Sequence, residues 1–332
     1  MKFKPFNFLA VIVAMALLTG CSHRQKVEAL LKAGNDAFAD EDYDLAIQNY
    51  SEVIKLDPKS DEAYLQRGNL LATRGEFEKA IADLNEAIRL NPHKTSAYEI
   101  RGHAYFGNDQ LEKAISDYTT VLKSEPENTG ALGMRGKSFN WRHDYTNAIT
   151  DLTKALKVST NDAELFDDRG EAYFASKKLN EASNDYTSAI LIDPDDSTGL
   201  CGRGMIYSQN HQYAEAIRDF ETVIRLKPKA VLIYNQIAWL KATAPESEVR
   251  DGKKAVELAT KACRLSKWQN YAYVDTLAAA YAEAGDFDQA VKYQKQAAGM
   301  DGIPEGNRTN VLNRIDLYVH HKPYRISGGD YD

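Results

Sequence analysis

The dipeptide Arg-Gly recurs five times at a fixed interval of 34 residues: Arg67-Gly68, Arg101-Gly102, Arg135-Gly136, Arg169-Gly170 and Arg203-Gly204. A period of that length is the signature of a repeat array, in which one small unit stacks on copies of itself because none can bury its apolar face alone. Such stacking builds an extended surface rather than a pocket around one catalytic constellation. Twelve residues after each of these glycines stands alanine, at Ala80, Ala114, Ala148, Ala182 and Ala216. Twenty-four residues after, proline closes most units: Pro58 (counted from Gly34), Pro92, Pro126, Pro194 and Pro228, with Thr160 in the fourth unit. Between these markers apolar residues fall at helical spacing, as in Ala80-Ile81, Leu84 and Ala87-Ile88. Proline lacks the N–H that would continue a helix. The unit is therefore a helix, a turn and a second helix, with small residues where the helices touch.

Sixteen residues after each arginine of the beat stands aspartate, at Asp83, Asp117, Asp151, Asp185 and Asp219. Both residues are missing together from the first unit, which has Ala33 and Asn49, and the seventh has Ile237 in place of the arginine. Positions that come and go together within one chain are expected to touch. The spacing predicts a ladder of ion pairs between first and second helices, bidentate where geometry permits and partly buried beside the helix packing. The alternative is a row of arginines in a groove that binds an anionic ligand.

The unit resembles the tetratricopeptide repeat, most fully over Asp61 to Lys94 with Tyr64, Gly68, Leu71, Ala80, Leu84, Ala87 and Pro92. Units begin near Val27, Asp61, Thr95, Thr129, Ala163, Ser197, Val231 and Tyr271, so the resemblance covers most of the chain. The second-helix alanine is kept also at Ala46, Ala255 and Ala290, while the seventh unit has a longer turn at 244–252. The resemblance implies an all-α, right-handed superhelical solenoid of about eight repeats over 27–298, whose first helices line a concave groove that binds proteins or peptides. The groove positions would include Asn35, Phe38, Asn69, His103, Phe106, Trp141, Glu171, Phe174 and Trp239. A Phe or Trp there is either packing between helices or a platform for ligand. In the family the chaperone-type carboxylate clamp starts with a lysine four residues before an asparagine. Here Leu31 precedes Asn35, and Gln66, Ser96 and Ile100 occupy the next clamp positions, so its cations are missing.

The N-terminus is a separate element. Lys2 and Lys4 precede an apolar run from Phe8 to Leu18, followed by Leu18-Thr19-Gly20-Cys21. A basic start, a short apolar core and small residues before a cleavage point read as a secretory signal peptide over 1–20. The run is too short to span a bilayer, which needs about 20 apolar residues. Its last four residues resemble the bacterial lipobox, which implies lipidation of Cys21 and stable anchoring of the exported chain to a membrane. Ser22 in place of aspartate favours the outer membrane, on its periplasmic side, if the host is Gram-negative. Residues 21–26 read as a short tether. At the other end, Glu305 to His320 reads as a capping helix and 299–332 as cap plus tail, because the last unit of a solenoid has no neighbour to cover it. The run from Asp275 to Asp288 and the closing Lys322-Pro323-Tyr324-Arg325 also resemble the final units of bacterial tetratricopeptide proteins.

The remaining features exclude more than they suggest. Without Lys2 and Lys4 the net charge is −9 and no basic stripe stands out, which argues against nucleic acid as a partner. Cys201 and Cys263 are read as two buried free thiols, with a disulfide as the alternative in an exported protein. Ala131 to Ser138 fits a permissive phosphate-loop pattern, but Arg135-Gly136 are the repeat's own markers inside a first helix, so no nucleotide is expected. His320-His321 are adjacent and point about 100° apart on a helix, a poor chelate. No metal, cofactor or catalytic site is expected. These features describe a lipid-anchored envelope scaffold or assembly adaptor; the alternative is an accessory or specificity subunit for an envelope hydrolase or glycan-processing enzyme.

Overall fold

The computed structural model describes residues 23–326, among which all regular structure is helical. Cys21, the segment before it that reads as a signal peptide, and the tail beyond 326 lie outside the described residues. In units two to seven the first helix has 13 residues and the second 14, as in α3 (Asp61–Thr73) and α4 (Phe77–Leu90). In chain order the helices are α1 (His23–Ala39), α2 (Tyr43–Leu56), α3, α4, α5 (Thr95–Gly107), α6 (Leu111–Ser124), α7 (Thr129–Trp141) and α8 (Tyr145–Val158). They continue with α9 (Ala163–Ala175), α10 (Leu179–Ile192), α11 (Ser197–Gln209), α12 (Tyr213–Leu226), α13 (Val231–Thr243), α14 (Gly252–Leu265), α15 (Tyr271–Glu283), α16 (Phe287–Ala298) and α17 (Glu305–Val319). The chain forms two compact units, 1–160 and 161–332. Within each, every helix packs on the next in sequence, and first helices also meet across a unit, as α3 with α5 and α13 with α15. That pattern is a helical solenoid.

The repeated small residues are explained by contact. Each second-helix alanine of the beat is fully buried, from Ala46 and Ala80 to Ala255 and Ala290. The glycine of Arg-Gly faces the large residue sixteen positions on. A Cβ at Gly68 would lie 2.8 Å from Leu84, at Gly102 2.7 Å from Tyr118, at Gly136 2.7 Å from Leu152, at Gly170 2.9 Å from Tyr186 and at Gly204 2.6 Å from Phe220. No real side-chain carbon sits that close, so the helices approach only where the side chain is absent.

The proline marks the end of the second helix without causing it. In the unit that carries Thr160, α8 has the same 14 residues as α4, and the Ser159 N–H bonds Ala155 O as the Asn91 N–H bonds Ala87 O. Asp162 then caps α9 by accepting from the Leu165 N–H. In every unit but the seventh, the turn between the two helices places one residue in the left-handed region. Gly75 (φ 76°) and Gly285 (φ 84°) fill it without cost, while Glu41, Asp109, His143, Lys177 (φ 60°) and His211 do so against their side chains. The exposed Lys177 is therefore expected to give a more stable protein as Lys177→Gly, by roughly 0.5–1 kcal/mol, measured by denaturant unfolding.

One boundary differs from the expectation. Residues 23–26, read as tether, are the first turn of α1. The long turn of the seventh unit is held by side-chain bonds: Arg250 Nη1 donates to the carbonyls of Ala244 and Pro245, and its Nε donates to Glu283 at 2.9 Å. Arg325 reaches the same Glu283 at 2.6 Å, and the Ile326 N–H bonds Thr243 O, so residues 325–326 are tied to α15 and the end of α13. Both thiols are free; Cys263 is buried and pushed up to about 12, while Cys201 is only half-buried.

Candidate functional site

The arginines of the beat are engaged inside the scaffold. Arg67 Nε and Nη2 donate to the two carboxylate oxygens of Asp83, each at 2.7 Å, and the same bidentate geometry joins Arg101 to Asp117, Arg135 to Asp151, Arg169 to Asp185 and Arg203 to Asp219. All five aspartates are buried. Hydrogen bonds to Asp83, Asp185 and Asp219 hold Arg67, Arg169 and Arg203 above the ordinary guanidinium value. Aromatic rings one turn away cover the guanidinium faces: Tyr98 and Tyr105 at 5.4 and 5.6 Å from Arg101, Phe166 and Tyr173 at 5.7 and 5.8 Å from Arg169.

One partner of the arginines escaped the sequence reading. Their third nitrogen reaches back to the preceding second helix: Arg67 Nη1 donates to Ser51, Arg101 Nη1 to Asn85 and Arg135 Nη1 to Thr119. Each of these three arginines thus fastens three helices. The signal was present, since a small hydroxyl or amide residue stands sixteen positions before every arginine, the row continuing with Thr153 and Thr187. The ladder also lies away from the first-helix groove. Arg67 and Asp83 open into a crevice lined by Ile47 and Ser51 of α2 and by Ala82 of α4, that is, between second helices. The decoy at 131–138 lies within α7, where Ser138 Oγ donates to Met134 O and Gly136 serves the contact with Leu152.

The groove residues divide by what they touch. Asn35 accepts from the Tyr50 hydroxyl at 2.8 Å, and Phe38 lies against Tyr43. Asn69 is half-buried and Glu171 exposed. His103 packs its ring on Tyr118 (centroids 5.7 Å), and the desolvation lowers the imidazole pKa although part of the residue stays exposed. Phe174 is partly buried and packs against the core residues Ala182, Tyr186 and Ile206. Phe106 and Trp141 come together edge to face at 5.7 Å, and Trp141 remains 60% exposed.

Trp239 belongs to a different arrangement, which the sequence did not disclose. It lines an open pocket of about 430 Å³ walled by Asn235, Gln236 and Trp239 of α13, Tyr271, Asp275 and Thr276 of α15, and Asn307, Asn310 and Arg314 of α17, with Tyr324 closing one side. Arg314 Nε and Nη2 donate to Asp275 at 3.1 and 2.9 Å, and Gln294 Nε2 donates to Asp275 Oδ1 at 2.6 Å and to Val311 O. Burial raises the Asp275 carboxyl against the opposing pull of Arg314. The Arg314 guanidinium lies 5.5 Å from the Trp239 ring and 5.1 Å from Tyr324.

A second buried carboxyl has no cation. Asp167 on α9 is pushed up to about 8 by burial first and then by Asp196, Asp168 and Glu164, and one of its oxygens is buried without a partner. Asp196 caps α11 by accepting from the N–H groups of Thr198 and Gly199. A folded-state pKa raised above the ordinary 3.8 means that stability is full below that value and is lost as pH climbs toward about 8. Asp167→Asn is expected to raise stability by roughly 1–3 kcal/mol near neutral pH. The gain should shrink toward pH 4 in thermal unfolding.

Family models described as tetratricopeptide repeat match residues 31–94, 197–230, and 95–128, 163–196 and 274–303, together more than half of the chain. The matches step over the fourth and seventh units, whose punctuation departs from the rest. No curated protein matches the chain in sequence. Among solved structures, a tetratricopeptide repeat protein from Parabacteroides merdae is similar over 89% of this chain and 99% of its own, with a TM-score of 0.54 and 17% identity. The C-terminal part of a TPR repeat-containing protein from Cytophaga hutchinsonii is similar over 86% and 99%, with a TM-score of 0.53 and 15% identity. At these identities the likeness concerns the fold. With the beat, the paired helices and the matched units in agreement, this chain belongs to the tetratricopeptide repeat family.

Proposed function

We infer that this protein is a non-catalytic scaffold that recruits other polypeptides through the face formed by its first helices, exported and held at a bacterial membrane through lipid on Cys21. The observation that carries the recruiting role is the exposed Trp141, braced edge-on by Phe106 on a face where the repeat's arginines are not offered. Large, rigid aromatics with little entropy to lose are the anchors of protein interfaces. A photo-crosslinking residue in place of Trp141 should yield protein adducts in envelope preparations, whereas one in place of the exposed Ala82 on α4 should not. Equal yields at both positions would place the partner elsewhere.

The anchoring rests on the lipobox-like Leu18-Thr19-Gly20-Cys21. More than one acyl chain makes attachment stable rather than reversible. Cells fed an alkyne-tagged fatty acid should label the parent protein and leave Cys21→Ser unlabelled and released from the membrane fraction. A labelled Cys21→Ser protein would contradict the assignment.

A further inference from the structure

The capping helix α17 carries apolar side chains on the side turned away from its neighbours. Val311, Leu317 and Tyr318 join the core of the last units, whereas Leu312 and Val319 are 50% and 54% exposed and Ile315 is half-buried. At about 100° per residue, Leu312, Ile315 and Val319 fall within an arc of roughly 60°, the stripe of a helix that has a neighbour to pack on. The end of a solenoid is normally polar outside, because nothing stacks on it. Exposed Glu305, Arg308 and Asp316 flank the stripe. Among the described residues Arg308 pairs with no carboxylate, and Asp316 has the exposed His320 beside it at 3.3 Å.

The charges around the stripe select its occupant. Arg308 and Asp316 stand on either side of Leu312, each about 6 Å away along the helix axis. A second α17 laid antiparallel, with a two-fold axis at Leu312, sets Arg308 of each copy opposite Asp316 of the other and Leu312 against Leu312. The same arrangement brings Glu305, in the first turn of one helix, to the far end of the other, where His320, His321 and Lys322 are exposed. Antiparallel helix dipoles favour it as well. Parallel pairing would put arginine beside arginine and aspartate beside aspartate. We propose that the outer face of α17 is a self-association surface, and that it packs on α17 of a second copy of this chain in an antiparallel, two-fold pair. A patch that meets its own copy across a two-fold axis has to be self-complementary, and the order Arg308, Leu312, Asp316 is. A single 15-residue helix covers less than the roughly 800 Å² per partner of a standard interface, so the pair should form in the micromolar range.

Sedimentation equilibrium of the full-length protein in density-matched detergent tests this, over a series of protein concentrations. The parent should pass from monomer to dimer as concentration rises. Arg308→Asp and Asp316→Arg each set like charges face to face at both symmetric contacts, so each should raise the dissociation constant about tenfold. The double variant Arg308→Asp, Asp316→Arg restores opposite charges with their signs exchanged, and should return to within about threefold of the parent. Within one chain the two positions lie about 12 Å apart along α17, so the rescue requires a second copy. Both side chains are exposed, and thermal unfolding of the monomer should stay the same in all variants. A parent that remains monomeric at every concentration would overturn the proposal, leaving the stripe to residues 327–332 or to a different protein. Dimers that the single reversals leave unchanged, or a double variant no better than the single ones, would overturn the antiparallel pairing of α17.

Discussion

Arg314→Ala should unfold the C-terminal end of the array, at a cost of roughly 3–5 kcal/mol. The side chains of Arg314 and Asp275 are 11% and 8% exposed, the most buried ion pair among the described residues that joins α17 to its neighbour α15. Taking away the arginine leaves a carboxylate with Gln294 as its remaining partner in an apolar core that includes Val274, Leu277, Val311 and Tyr318. Burial already raises that carboxyl, so it will take up a proton instead of staying charged. The variant should therefore lose less stability at low pH than at neutral pH. Limited proteolysis should cut first near α17, and Asp275→Asn in the same chain should restore part of the loss. An Arg314→Ala protein as stable as the parent, with α17 equally protected, would show that the pair does not hold the cap.

Arg135→Ala is the second large effect, a loss of roughly 3 kcal/mol in the first compact unit. Asp151 is 3% exposed and would keep no cation, while Thr119 would lose the donor that ties α6 to α7. Arg135→Lys should recover only part of this, since an ammonium cannot serve both carboxylate oxygens and Thr119 in one plane. Partner recruitment at Trp141 should survive in whatever fraction remains folded. A variant that unfolds like the parent but no longer recruits would mean that the arginines are ligand-binding after all.

Much of this was written in the sequence because the array repeats its own evidence. Gly68, Gly102, Gly136, Gly170 and Gly204 record one helix contact five times, and the joint absence of arginine and aspartate from the first unit marks a contact without any second sequence for comparison. The back-bond from Arg67, Arg101 and Arg135 was harder to see, because Ser51, Asn85 and Thr119 do the same work with different letters. Features that occur once leave no beat at all. Asp275 and Arg314 meet across two helices with no copy elsewhere in the chain, and the paired carboxyls of Asp167 and Asp196 exist in one unit only. The C-terminal pocket is of this kind. Residues 235, 236 and 239, then 271, 275 and 276, then 307, 310 and 314 each lie on one helix face, but their convergence depends on how α17 closes over α13 and α15. Among the groove aromatics the residue type did not separate Phe174, partly buried against the core, from Trp141, left open; only the packing of neighbouring side chains does that.

The central claim is that the arginine of each repeat is a structural fastener and the binding face lies elsewhere. A double-mutant cycle at Arg135 and Asp151, from the unfolding free energies of the parent, the two single alanine variants and the double variant, measures it most directly. The account predicts a coupling of roughly 2 kcal/mol or more, with the double variant more stable than the sum of the single losses would give. Strict additivity of the two losses would contradict it.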